Sequence, residues 1–235
     1  MLAQNSIRNR LLSKLNSCDF AAVAPHLQPT ALDRREILIE ANRPIEQVYF
    51  IESGTVSVVA RKQDGRSIEV GVYGRDGMSG VAPLLGSDRT PYEHGVQIAG
   101  SGFRLGIRDY LGVISQNARL KEVLLRFVHI FMSQTAHTAL VNGRSIVVER
   151  LARWLLMCQD RIDGDEVTIT HDFLSTMLGV RRSSVTDALH LLESNQLIKA
   201  ERGRIKILNR EKLEATAGSA YGVPEAEFRR LLGPL

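Results

Sequence analysis

Residues 171–190 read HDFLSTMLGVRRSSVTDALH, and their spacing is typical of two short helices joined by a sharp turn. A helix-turn-helix needs an inward apolar pair, a small residue at the crossing, a glycine at the turn and two further apolar residues in the corner. Here these residues are Leu174 and Leu178, Ser175, Gly179, Val180 and Val185. The stretch therefore predicts a helix-turn-helix.

The second helix of this motif presents polar and basic side chains at its N-terminal end. Side chains of this kind donate to phosphates and to base edges in a major groove. We expect the following residues to contact DNA: Arg181, Arg182, Ser183, Ser184, Thr186 and Asp187.

A predicted hairpin follows, in which residues 197–200 pair with residues 204–208. It adds Arg202 and Arg204 as a basic wing beside the motif. Residues 179–212 hold eight Lys and Arg against four Asp and Glu, and this excess of four equals the net charge of the whole chain, +4. A solvated basic face is the alternative, but the coincidence with the helix-turn-helix favours a winged DNA-binding module.

The first half of the chain is divided by glycine and proline into short pieces, several of them rich in β-branched residues. Turn signals such as Glu52-Ser53-Gly54 and Gln63-Asp64-Gly65 separate them. Short strands at such spacings predict an antiparallel jelly-roll β-domain. The predicted strands are 36–40, 47–51, 55–61, 67–73, 95–99 and 103–107.

Near residue 116 the short strand-like segments end and a helical spacing of apolar residues begins. Leu120, Leu124, Phe127 and Phe131 follow a 4-3-4 spacing, which is that of a helix seam pairing with its own copy in a dimer. A helix lying on its own barrel would show the same spacing, and both readings stay open. Asn142-Gly143 offers a break or hinge. The predicted class is α+β, with a sensor domain at 1–116, a dimerisation helix at 117–143 and a winged-helix domain with a tail at 144–235.

Composition narrows the class of protein. The 235 residues contain only short apolar runs, such as the five residues 20–24, whereas a membrane span needs roughly 20. The first residues show no signal-peptide core. Cys18 and Cys158 are too few for a disulfide framework. A soluble, cytoplasmic protein without a membrane partner is expected.

An enzymatic function is not expected. Jelly-roll enzymes bind a metal through two or three histidines and a carboxylate that converge inside the barrel. Of the six histidines only His94 lies on a predicted strand. The chain also lacks a Gly-x-Ser-x-Gly elbow and a phosphate-binding loop.

Taken together, these parts resemble the Crp/Fnr family of transcription regulators. The matching segments are residues 48–54, 71–77 and 149–156 and the helix-turn-helix. The resemblance implies a homodimer on a pseudo-palindromic DNA site, with each second helix reading one half-site. It also implies a signal at the β-domain, relayed through the long helix. Double-stranded DNA, a second copy, RNA polymerase and a small-molecule effector are therefore the expected partners.

The resemblance places a ligand-binding segment at Gly80, Val81, Arg89 and Thr90. Members that bind cyclic AMP usually carry glutamate after the glycine and Arg-Ser/Thr later. Here Val81 replaces the glutamate that accepts from the ribose hydroxyl, which argues against cyclic AMP. Arg89 could hold another anion, or the Arg89-Thr90-Pro91 segment could be a simple turn.

Other cofactors of the family are not expected either. Only Cys18 lies in the N-terminal region where oxygen-sensing members carry a cysteine cluster, so no iron–sulfur cluster is predicted. His94 could ligate haem, although a single histidine is more often structural.

Asp187 leaves a second function open, because its carboxylate would repel phosphates. The chain would then be a ligand-binding or interaction protein of the same fold with weak or lost DNA binding. Salt dependence separates the two functions, since phosphate contacts release counterions and weaken steeply as salt rises.

Overall fold

A computed structural model describes residues 2–233. Met1, at the start of the expected sensor domain, and Pro234 and Leu235, at the end of the expected tail, lie outside the described residues. The helices are α1 (Arg10–Ser13), α2 (Ser17–Val23), α3 (Val81–Leu84), α4 (Ile107–Gln116), α5 (Ala118–Arg144), α6 (Val147–Gln159), α7 (His171–Leu178), α8 (Arg182–Ser194), α9 (Arg210–Ala217) and α10 (Val223–Leu232). None of the described helices is both long and apolar enough to cross a membrane.

The N-terminal half forms one antiparallel sheet. Its strands are β1 (Gln28–Leu32), β2 (Ile37–Ile39), β3 (Gln47–Arg61), β4 (Ser67–Tyr73) and β5 (Glu93–Gly106). They follow the order β1-β5-β3-β4, and β2 also pairs with β5. The α+β class, with this antiparallel β-domain, a long helix and a C-terminal helix-turn-helix, agrees with the prediction from sequence.

Two pairs of predicted strands are single long strands. Residues 47–51 and 55–61 join into β3, because Glu52-Ser53-Gly54 forms a bulge where the pairing register with β5 shifts rather than a turn. Gly54 has φ +82°, and a Cβ there would collide with the carbonyl oxygen of Ile98. Residues 95–99 and 103–107 join into β5 in the same way, and β1 was not predicted.

Helix α5 packs on the β-domain of its own chain, which corrects the predicted dimer seam. Leu120, Leu124 and Phe127 are at most 3% exposed and belong to the N-terminal core. Phe131 is half-buried and packs edge-on against Tyr73. These four side chains are covered within one protomer, so they offer little surface to a second copy. The helix also continues through the expected break at 142–143 and ends at Arg144.

The C-terminal half contains the predicted winged helix. Strands β6 (Glu166–Val167), β7 (Ile198–Glu201) and β8 (Arg204–Ile207) form a sheet in the order β6-β8-β7. A second apolar core joins α6, α7, α8, α9 and this sheet. The tail does not stay with it, because α10 returns to α5 and buries Phe228 and Leu232 in the N-terminal core.

Buried polar contacts join the two halves. Arg161, after α6, forms an ion pair with Asp76 at 2.7 Å, and both side chains are less than 10% exposed. Trp154 of α6 donates its indole N–H to Glu69 of β4 at 3.0 Å. The helix-turn-helix is thereby held against β4.

Candidate nucleic-acid interface

The turn of the helix-turn-helix depends on Gly179. It ends α7 with φ +62°, a left-handed conformation that side chains other than glycine rarely adopt. The next amide, of Val180, donates to the carbonyl oxygen of Ser175 at 3.0 Å and closes the turn. Leu174 and Val185 are fully buried between the helices. The predicted steric roles in the motif are therefore realised.

Arg150 of α6 fixes the C-terminal end of α7, a role that the sequence did not reveal. Its guanidinium donates to the carbonyl oxygen of Leu178, one of the orphan acceptors at the end of a helix. Half-burial lowers the pKa of Arg150. The segment 149–156 carried the family resemblance, but only the fold brings Arg150 to this carbonyl.

The N-terminal end of α8 points to solvent. Arg181, Arg182, Ser183 and Asp187 are exposed, while Ser184 and Thr186 are half-buried. Arg182 lies 3.2 Å from Asp172 of α7, and both side chains are more than 60% exposed. An exposed pair of this kind contributes little to stability, so the guanidinium is available to another acceptor. Among the described ion pairs none involves Asp187.

Thr186 is directed inward rather than outward. Its hydroxyl donates to the carbonyl oxygen of Arg182 at 3.2 Å and lies 3.4 Å from Nδ1 of His171. The structure thus places five of the six predicted residues of α8 at or near its free end, and gives Thr186 an intrahelical partner.

The wing presents two arginines of different character. Arg202 lies exposed in the turn between β7 and β8. Arg204 donates through Nε to Glu201 at 2.7 Å, so its charge is partly balanced. The hydrogen bonds from Lys199 and Arg204 lower the pKa of Glu201. Arg202 is therefore the freer of the two predicted wing contacts.

A cleft of about 1170 Å³ separates the helix-turn-helix from the hairpin between β3 and β4. Arg181 and Ser184 line one side, and Lys62 and Arg66 line the other. Ile68 closes the cleft, since a Cβ on Gly179 would lie 2.9 Å from its Cδ1. The hairpin thus extends the basic surface of the DNA-binding module, which the sequence reasoning missed because the two segments are far apart in the chain.

Glu69 is a carboxyl group buried where the two halves meet. It accepts from Trp154 at 3.0 Å and from the hydroxyl of Ser57 at 2.5 Å. Burial raises its pKa to about 7, and the two hydrogen bonds only partly oppose this effect. The contact between β4 and α6 therefore contains a group that titrates near neutral pH.

Among the four predicted ligand residues, Arg89 forms an exposed ion pair with its neighbour Asp88. Nε and Nη2 of Arg89 donate to the neighbouring Asp88, at 2.9 and 2.8 Å, and the Arg89 side chain is 53% exposed. Gly80 has φ +73° and packs against Val48, while Val81 begins α3. The hydroxyl of Thr90 accepts from the amide of Tyr92 at 3.3 Å.

Aromatic rings fill the space between the β-domain and α5. A Cβ added to Gly71 would lie 2.6 Å from the ring of Phe131, and one added to Gly77 would lie 2.6 Å from the ring of Phe127. The glycines accommodate these rings. A ligand between the barrel and the long helix would have to displace them.

His94 is a structural residue of the barrel. Its Nδ1 lies 2.9 Å from the hydroxyl of Tyr73, and burial lowers its pKa to about 4, so the ring is neutral at physiological pH. Within residues 2–233 no three His, Cys, Asp or Glu side chains converge as metal ligands.

Two family descriptions match the two halves of the chain. Residues 29–101 match the cyclic nucleotide-binding domain, and residues 149–216 match the Crp-like helix-turn-helix domain. The chain is a member of the Crp/Fnr family of transcription regulators. The family consists of DNA-binding transcription regulators rather than enzymes, and a homodimer fits the family.

Individual relatives agree with this assignment. The regulator is 25% identical over 209 residues to the CRP-like cAMP-activated global transcriptional regulator of Mycobacterium tuberculosis, a match that covers 84% of this chain and 91% of that one. It is 24% identical over 192 residues to the global nitrogen regulator of Synechococcus elongatus, covering 78% and 86%. FixK2 from Bradyrhizobium japonicum has the same fold, with a TM-score of 0.70 at 17% identity, over 82% of this chain and 98% of that one.

Proposed function

We propose that the regulator reads DNA with the N-terminal end of α8. Arg182 is the best candidate for direct base contact, because it is exposed at the first turn and can donate two parallel hydrogen bonds to guanine. Arg181, Ser183 and Ser184 lie beside it at the same end of the helix, where phosphate contacts fix the register.

Arg202 in the wing is proposed to contact the backbone of the same duplex. The two other predicted contacts, Asp187 and Arg204, are proposed to have secondary roles: Asp187 would accept from a cytosine amine, and Arg204, partly neutralised, would give a weaker phosphate contact.

The experiment that tests this surface is Arg182→Ala, measured by fluorescence anisotropy on a duplex selected from a random pool. We expect specific binding to weaken about 5- to 150-fold, which is the range of a bidentate base contact of about 1–3 kcal/mol. Arg43→Ala, an equally exposed arginine in the β-domain, is the control and should leave binding unchanged. Equal losses on the selected and on random duplexes would show that Arg182 contacts only phosphate.

The wing has a separate signature. Arg202→Ala should weaken binding to all duplexes alike and should reduce the salt dependence by the equivalent of about one phosphate contact. A change in the preferred sequence with an unchanged salt slope would contradict this assignment.

The dimer is proposed to form through an exposed stripe on α5 that replaces the seam predicted from sequence. The stripe follows a 4-3 spacing along the whole helix, which is the repeat of a coiled-coil seam. Its residues are Ala118, Glu122, Leu125, His129, Met132, Ala136, Ala139 and Gly143, all exposed. Met132 is 64% exposed and is the most exposed apolar side chain among them.

The regulator needs two reading helices about 34 Å apart to bind successive half-sites. Met132→Lys should therefore give a monomer in sedimentation equilibrium and lose affinity for the full site. Leu85→Lys, an equally exposed leucine outside the stripe, is the control. A Met132→Lys protein that remains dimeric would contradict the stripe.

We further propose that cyclic AMP is not the signal, although the M. tuberculosis relative is described as cAMP-activated. The proposal is supported by Val81 in place of the usual glutamate and by the rings of Phe127 and Phe131 beside the barrel. Millimolar cyclic AMP should leave the melting temperature unchanged. A ligand at 100 times its Kd would add about 2.7 kcal/mol, and a shift of that size would refute the proposal.

RNA polymerase stays a predicted partner. Action on DNA supports the cytoplasmic localisation expected from the sequence.

A further inference from the structure

The C-terminal helix α10 lies outside the two segments that match the family descriptions, and it packs along α5. The apolar face that it buries carries Phe228 and Leu232. Contacts along its length show its direction. The backbone oxygen of Leu231 accepts from Arg126, and the carbonyl oxygen of Ala220, just before α10, lies 3.0 Å from Nε2 of His137. Helix α10 therefore runs antiparallel to α5.

One contact connects α10 with the exposed stripe of α5. Glu227 lies 2.8 Å from Nε2 of His129, the fourth residue of the stripe. Val223, Glu227 and Arg230 share one face of α10, because they are spaced by four and three residues. The contact with His129 shows that this face is turned toward the stripe. Val223 is 55% exposed, and the Arg230 side chain is 63% exposed.

We propose that this face of α10 is part of the dimer interface and contacts the long helix of a second copy of the chain. The inference rests on the proposed stripe. In a two-stranded coiled coil the residues that flank the seam also meet the partner helix. On one flank of the stripe, Arg126 and His137 of α5 face α10. On that flank α10, instead of these two residues, would therefore meet the partner helix.

Helix dimensions support contact across the interface. Packed helix axes lie 8–10 Å apart, and α10 lies about a quarter turn from the stripe, since helical residues advance by about 100°. Two helices at that distance from α5 and a quarter turn apart lie about 13 Å from each other. A helix with its side chains is 10–12 Å wide, so side chains such as Glu227 and Arg230 span the remaining gap.

A second copy is the occupant that the chain supports. A homodimer fits the family, and the face of α10 is continuous with the only stripe that runs with 4-3 spacing along the exposed side of α5 within the described residues. The face also combines one exposed apolar residue with an acid and a base. This mixture suits the edge of an interface, where polar residues surround an apolar centre.

The first test is energetic. Val223→Glu adds a carboxylate at the first position of α10, where acidic residues favour the helix, so the tail itself should remain docked. We expect the dimer Kd, measured by sedimentation equilibrium, to rise at least tenfold. Leu85→Glu is the control, because it adds the same carboxylate at an exposed apolar residue outside both the stripe and α10, and its Kd should equal that of the wild type.

The second test is one of proximity. In a Cys18→Ser background a nitroxide label is placed by Val223→Cys or, about 120° around α10 from that position, by Arg229→Cys. The label at position 223 should be less mobile in the dimer than in the Met132→Lys monomer, whereas the label at position 229 should be equally mobile in both.

The outcomes distinguish the role of α10 from that of the stripe on α5. If Met132→Lys gives a monomer but Val223→Glu leaves the Kd unchanged and the label at position 223 stays mobile, the stripe stands and the role of α10 is refuted. If Met132→Lys leaves the dimer intact, the stripe is refuted and the inference about α10 fails with it. A weakened dimer together with an immobilised label supports the proposal.

Discussion

Replacing Glu69 by glutamine should remove a pH-dependent part of the stability of the regulator. In the wild type, burial raises the pKa of this carboxyl from 4.5 to about 7. The folded state therefore holds a proton between pH 4.5 and 7 that the unfolded state releases. Linkage then requires the free energy of unfolding to rise as the pH falls through 7, and this contribution to be complete below 4.5.

The size of the effect follows from the two pKa values. At 1.36 kcal/mol per pKa unit the full contribution is about 3 kcal/mol, and most of it develops between pH 8 and pH 5. Glutamine is always neutral and keeps an oxygen that can accept from Trp154. Glu69→Gln should therefore be more stable than the wild type at pH 8, and this advantage should shrink by about 2–3 kcal/mol at pH 5.

Urea unfolding at several pH values measures this difference. Trp154, the single tryptophan, reports on the contact itself through its fluorescence. His94 also titrates, but it is present in both proteins, so its contribution cancels from the comparison. A stability difference between Glu69→Gln and the wild type that stays constant within about 0.5 kcal/mol from pH 8 to pH 5 would refute the raised pKa.

Three further predictions concern Gly179, His94 and Leu124. Gly179→Ala should destabilise the fold by more than about 1 kcal/mol in urea unfolding, because φ is +62° and Ile68 is close; Gly112→Ala, at a helical site with open space outside the stripe, should stabilise it by about 0.5–1 kcal/mol, and equal effects of the two substitutions would contradict the steric explanation. His94→Gln should gain about 3 kcal/mol of stability relative to the wild type as the pH falls from 6.5 to 4, since the folded pKa of His94 is about 4; a difference between variant and wild type that stays constant over this range would count against this. Leu124→Lys should lower the melting temperature steeply in circular dichroism by placing a charge in the core, and a stable, well-folded monomer would instead restore the seam predicted from sequence.

The helix-turn-helix could be predicted because its constraints are local. Gly179, Leu174 and Val185 lie within a dozen residues, and their sizes and backbone freedom alone define the turn. The wing was predicted for the same reason, since the turn at Arg202-Gly203 and the alternation of Ile205 and Ile207 are adjacent in the chain.

The dimer surface could not be chosen from the sequence. Helix α5 carries a 4-3 spacing on two opposite sides, one with Leu120 and Leu124 and one with Leu125 and Met132. Periodicity reports that a face is apolar but not which neighbour covers it. The predicted seam followed the more apolar side, which is the side that the β-domain of the same chain buries.

The ligand segment shows a different limit. Arg89 and Thr90 match the family in sequence, but the direction of the Arg89 side chain depends on Asp88, its neighbour.

The β-bulge at Gly54 was missed because the same residues, Glu52-Ser53-Gly54, would also make a good turn. Only the pairing of β3 with β5 distinguishes these outcomes.

The path of the tail makes the DNA-binding module an insertion in the N-terminal core rather than an appendage to it. The chain leaves that core at the end of α5 and returns to it at Phe228 and Leu232, which lie in the same cluster as Leu11 and Leu12. A chimera that exchanges the module of this regulator for that of a relative would therefore need two junctions, one near residue 145 and one near residue 221. A single cut after α5 would remove the tail and leave part of the recipient's own core uncovered.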